Sequence, residues 1–136
     1  MQLEFAITPD VNDSYPWLVS SGEPMIIDWE PMIRCILDDR GSGVSNGVIA
    51  AKFHNTLADI VVDVAERVGQ HKVVLTGGCF QNRYLTERAV RRLNESGFRP
   101  YWHQRVPPND GGIALGQIIA ANQQTAAARM LRKSCV

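Results

Sequence analysis

The chain has 136 residues, with 14 Lys plus Arg against 14 Asp plus Glu, so its formal charge is zero. Zero charge argues against an electrostatically driven binder of nucleic acid or anionic membrane, and no apolar run approaches the roughly 20 residues of a membrane span. Hydrophobic residues at 45% and charged residues at 21% are ordinary for a folded domain, which at this length needs no disulfide or metal staple.

Met1-Gln2-Leu3-Glu4 does not open like a signal peptide. The three cysteines, Cys35, Cys79 and Cys135, contain no CxxC pair, and the expectation is a reduced, cytoplasmic chain with Cys135 exposed at the tail. Residues 1–47, rich in Pro, Asp and Ser, form a lead-in, and residues 48–136 read as a helix–βαβ–helix core. In the lead-in, QLEFAI reads as the end of a helix stopped by Pro9, and Asn12, Asp13 and Ser14 favour a turn. YPWLVS and MIIDW read as two short strands around Gly22 and Pro24. Asp28 is a candidate N-cap for a helix with Pro31 in its first turn, which ends before a flexible loop from Gly41 to Gly47.

The core begins with the strongest periodicity. Ile49, Phe53, Leu57, Ile60, Val61, Val64 and Val68 recur at three and four residues and predict an amphipathic helix over 48–68, with Gly69 as its C-terminal stop. Lys72 to Thr76 predicts a buried parallel strand. A helix from about Asn82 to Glu95 and a second strand over Phe98 to Gln104 complete a right-handed βαβ unit. Pro100 lacks a backbone donor and puts that second strand near a sheet edge. A last helix runs from Gly111 to about Arg132.

Two loops follow the two strands, where ligands bind in open α/β folds. In the first, Thr76 to Asn82, Gly77 and Gly78 allow positive φ and close backbone approach. Amides at the start of the next helix favour an anion such as phosphate. On spacing alone a tight turn explains the two glycines equally well, and the loop matches neither a Walker A nor a GxGxxG pattern. In the second, Pro107 and Pro108 stiffen the approach to Asp110, whose carboxylate can bind a divalent metal or cap a helix; capping is the commoner use. His54, bordering the apolar face of its helix, reads as a satisfied, partly buried histidine. Cys79 reads as a packing residue, and Arg88, Arg91 and Arg92 as a solvated face.

The string from Leu75 to Gln117, ending in VPPNDGGIALGQ, resembles the C-terminal end of the HypF-type carbamoyltransferases of nickel–iron hydrogenase maturation. IAAKFHNTLAD (Ile49 to Asp59) and IIDWEPMI (Ile26 to Ile33) extend the resemblance over nearly the whole chain. It implies an α/β fold, one RNase H-like half of a two-lobed domain of the sugar-kinase/Hsp70/actin (ASKHA) type, similar to TsaD-type tRNA threonylcarbamoyltransferases. The longer protein it implies also carries acylphosphatase-like, zinc-finger-like and YrdC-like modules. The implied reaction uses ATP and carbamoyl phosphate to form a carbamoyl-adenylate, then carbamoylates the C-terminal cysteine of a HypE-type acceptor, the source of a cyanide ligand. On this reading Gly77 and Gly78 match nucleotide-phosphate contacts, Asn82 a nucleotide or structural contact, and Asp110 one ligand of a divalent metal. The family's histidine pair of HxxxH type is absent here, so the chain alone is expected to be inactive. Its exposed half-domain face makes a homodimer a reasonable expectation. A non-catalytic docking module and a TsaD-like tRNA-modifying subunit are the alternatives.

Overall fold

A computed structural model describes residues 2–133, with the side chains of residues 124–133 left aside; the expectation for Cys135 lies outside the described residues. The elements in chain order are α1 (Gln2–Phe5), β1 (Leu18–Val19), β2 (Ile27–Asp28), α2 (Glu30–Gly41), α3 (Asn46–Val68), β3 (Lys72–Leu75), α4 (Arg83–Glu95), β4 (Arg99–Trp102) and α5 (Ile113–Lys133). Short 3-10 turns at Gly78–Gln81 and Asp110–Gly112 precede α4 and α5. The fold is therefore α/β. β1 and β2 form a two-residue antiparallel ladder, and β3 and β4 pair in parallel with Val73 opposite Pro100. Among the described residues β4 pairs with β3 alone, so Pro100 falls on an edge strand.

The core lies between α3, α4 and the parallel pair. Ala58, Val62, Ala65, Leu75, Leu85, Ala89 and Leu93 are buried together there, with Leu57, Val61, Val73, Phe80, Val90 and Phe98 packed around them. The buried face of α3 differs from the large-aliphatic stripe its periodicity predicts. Its most buried positions are small or polar: Ala50, Ala51, His54, Asn55, Thr56 and Ala58 are all at most 3% exposed. Small residues let α4 and the lead-in approach α3 closely. The aliphatic stripe is only partly covered, and Val68 at its end is 53% exposed.

Within the lead-in, residues 11–17 lie extended against α3 and are held there by polar side chains. Thr56 Oγ1 accepts from the Tyr15 amide at 2.7 Å, and Asn55 Nδ2 donates to the carbonyls of Val11 and Asp13 at 2.9 and 2.8 Å. Tyr15 donates its hydroxyl to Asp39 at 2.8 Å, and Trp17 donates Nε1 to Asp63 at 3.1 Å. The end of the expected flexible loop is ordered by Ser45, whose Oγ accepts from the Val48 amide and caps α3 two residues early. Gly47 is needed at that point, because a Cβ there would clash with Thr8 Oγ1 and the Ala6 carbonyl. Asp28 sits in β2 rather than at the cap position of α2, which Trp29 takes; its carboxylate still accepts from the Glu30 amide at 2.9 Å.

Candidate functional site

Because β3 and β4 are parallel neighbours, the loops leaving them emerge at the same edge of the pair. Two contacts tie those loops together. The Gly77 amide donates to the Pro108 carbonyl at 2.8 Å, and Thr76 Oγ1 lies 3.2 Å from His103 Nε2. The two segments singled out in the sequence thus meet, which their separation by about 30 residues does not by itself guarantee.

Each glycine has a distinct reason to be there. Gly77 has φ of +107°, a conformation that a Cβ strains. Gly78 opens the 3-10 turn, and a Cβ built on it meets only Asn109 Cβ, at 4.0 Å. The space beside Gly78 is therefore open to a ligand. In the second loop a Cβ on Gly112 would stand 2.8 Å from the Pro107 carbonyl. That glycine serves the fold of its own loop. Asn109 Oδ1 accepts from the Gly111 amide at 3.0 Å and sets the turn that presents Asp110. Asp110 is exposed, and among the described residues its carboxylate has no partner. No group of three or more His, Cys, Asp or Glu among those residues could hold a metal. Asp110 is thus a single carboxylate and not a complete metal site among the described residues.

Asn82 is committed to the protein on both sides of its amide. Its Oδ1 accepts from the Leu85 amide at 2.9 Å and caps α4, while Nδ2 lies 2.7 Å from His54 Nε2. The other ring nitrogen, Nδ1, lies 2.7 Å from the Ala50 carbonyl four residues earlier. A consistent network has Nδ1 donating to that carbonyl and Nε2 accepting from Asn82, which defines a neutral ring. His54 is 3% exposed and edge-on to Tyr84 at 5.8 Å. It is the satisfied histidine expected from sequence, but its partner, 28 positions away, had no sequence signal.

The first amides of α4 are not free for an anion. Glu4 Oε1 accepts from the amides of Arg83 and Tyr84 at 2.7 and 3.4 Å, beside the Asn82 cap. A carboxylate already satisfies the positive helix end. The amides opening the 3-10 turn, at Gly78 and Cys79, are the first donors of that turn and have no partner within it. Cys79 is an exposed free thiol. Its nearby histidine, His54, lines the same cleft but has both nitrogens engaged.

Arg88 departs from the solvated face expected of the basic cluster. It is 8% exposed and donates Nη2 to the Asn12 carbonyl at 3.3 Å. The lead-in covers that side of α4, and a pattern read from α4 alone cannot see it.

A family model described as "Carbamoyltransferase, Kae1-like Domain, second subdomain" matches residues 1–117. The carbamoyltransferase HypF of Synechocystis sp. is 39% identical over 123 residues, covering 89% of this chain and 16% of that protein. HypF of Rhizobium leguminosarum bv. viciae is 39% identical over 102 residues, covering 71% and 13%. A crystal structure of full-length HypF in a phosphate- and nucleotide-bound form superposes with a TM-score of 0.81 at 39% identity, over 90% of this chain and 17% of that one. A T. kodakarensis HypF structure, at 24% identity and a TM-score of 0.65, shares the fold. The chain thus spans between about one eighth and one sixth of the length of these relatives.

Proposed function

Since this chain belongs to the HypF carbamoyltransferase family, we propose that it supplies one half of a nucleotide- and metal-binding cleft in a HypF-type carbamoyltransferase. The observation that carries the reading is the Gly77–Pro108 hydrogen bond of 2.8 Å, which joins the glycine loop to the loop presenting Asp110. A nucleotide phosphate would lie over Gly78, where no side chain intrudes, and take the amides of Gly78 and Cys79. Gly77 holds the turn. Asn82 acts through the loop as a positioning residue, because its side chain is spent on His54 and the α4 cap. Asp110 would be one ligand of a divalent metal that offsets phosphate charge, its remaining ligands coming from residues beyond this chain.

On this reading the second half of the cleft completes a two-lobed ASKHA-type domain of the TsaD-like kind. The substrates are ATP and carbamoyl phosphate, and the acceptor is the C-terminal cysteine of a HypE-type protein in the cytoplasm, in the service of hydrogenase maturation. The crystal structure of full-length HypF in its phosphate- and nucleotide-bound form supports the nucleotide part. With one metal ligand and half a cleft, the 136-residue chain alone is inactive; carbamoyl-phosphate-dependent ATP turnover by it would contradict this. In the longer protein, Asp110→Ala should lower metal content and carbamoyl transfer while the thermal transition stays put. Retained metal and activity would leave Asp110 a turn residue.

A further inference from the structure

Helix α4 turns one guanidinium inward. Arg88 has five N–H donors, and the bond to Asn12 is a single long one. Its Nε is buried without a hydrogen-bond partner, and Arg88 forms no ion pair among the described residues. Its basic neighbours differ in having counter-ions: Arg83 pairs with Glu87 at 2.7 Å and Arg91 stands 3.9 Å from Glu95, while Arg92, whose Nε likewise lacks a hydrogen bond, lies 3.2 Å from Asp59. A buried cation without a counter-ion is costly, and such groups in folded proteins are paired or hold a ligand. Beside Arg88 is an open hollow of about 280 Å³, lined also by Asp10, Asn12, Tyr84, Glu87 and Arg91. None of its lining residues belongs to the cleft at the glycine loop.

We propose that this hollow is a binding site for a small oxyanion of the carboxylate or phosphate type, with Arg88 as its buried anchor and Arg91 at its rim. The planar fork of arginine suits two oxygens of one anion. Arg91 is loosely paired and has donors to spare. Glu87 pairs with Arg83 on the exposed surface, and it and Asp10 are the two lining carboxylates that oppose an anion. The site is independent of the nucleotide reading above.

The test is a titration of the 136-residue chain followed through its arginine Nε–H signals by nitrogen-15 NMR. Sodium phosphate and sodium acetate are added separately, against sodium chloride at equal ionic strength. The Arg88 signal should move saturably with phosphate, acetate or both, and the stronger of the two names the ligand class. Arg91→Gln, at a largely exposed position, should keep the fold and weaken binding at least threefold, and Asp10→Asn should tighten it. In Arg88→Met the Arg91 Nε–H signal should no longer move saturably with either anion. An equal shift with chloride, or an affinity unchanged in Arg91→Gln, would overturn the proposal.

Discussion

Asn82 holds three parts of the site at once: the start of α4, the ring of His54, and through that ring the middle of α3. Asn82→Ala removes a helix cap, worth about 1 kcal/mol. It also leaves the His54 Nε2 acceptor buried and unpaired, for a further 1–3 kcal/mol or so. Urea denaturation should therefore show a loss of roughly 2–4 kcal/mol; a loss no larger than the cap alone would mean that the His54 contact contributes nothing. Gly77→Ala tests the loop itself. At φ of +107° the added Cβ should cost about 1–3 kcal/mol, and an unchanged midpoint would show that the loop relaxes freely. The residue types of the loop were legible in sequence because Gly77, Gly78 and Asp110 sit beside breaks in periodicity. The Asn82–His54 pair was not, since nothing local links a histidine on one helix to a cap on another.

Among the elements, the lead-in shows best where sequence reading stops. Its strands were legible as positions, but the ladder forms over only two residues each. Hydrogen bonds to α3, not strand pairing, hold the segment down, and bonds to Asn55 and Thr56 leave no hydrophobic pattern to read. Their charge partners give the attachment a pH window. The Lys52 ammonium, and then the Tyr15 hydroxyl, hold the Asp39 carboxyl below its ordinary value; Arg67 chiefly does the same for Asp63. Carboxylates depressed in the folded state contribute stability above their unfolded value, near 4, and lose it as pH falls further. Burial, reinforced by Asp39, pushes the Tyr15 phenol up. Folding thus favours its neutral form, and that stability is lost as pH rises beyond the unfolded value near 10. Stability measured by denaturant across pH should plateau between these limits and fall on both sides. Tyr15→Phe should flatten the alkaline fall and cost about 1 kcal/mol at neutral pH; an alkaline limb unchanged in that variant would remove Tyr15 from the account.

The described residues together leave apolar surface uncovered. Ile27, Val61, Val64, Val68, Val73 and Val74 line an open groove beside the parallel pair, and Val74 is 67% exposed. On α5, Ile113, Leu115, Ile118 and Ile119 are 43–60% exposed. Both faces of a parallel sheet are normally covered, and patches of this kind drive association. The isolated chain should therefore self-associate in sedimentation experiments over a range of concentrations, and a strict monomer throughout would contradict that. No described helix is long and apolar enough to cross a membrane. The aliphatic stripe of α3 was legible, but what covers it was not, because burial depends on which other surfaces pack against a helix and not on its own periodicity. If the glycine loop receives a nucleotide phosphate, the affinity measured by titration calorimetry of ATP with magnesium into the longer carbamoyltransferase should depend on the space beside Gly78. Gly78→Val fills that space and should weaken ATP at least tenfold relative to the unsubstituted protein; an unchanged affinity would exclude the glycine loop from the nucleotide site.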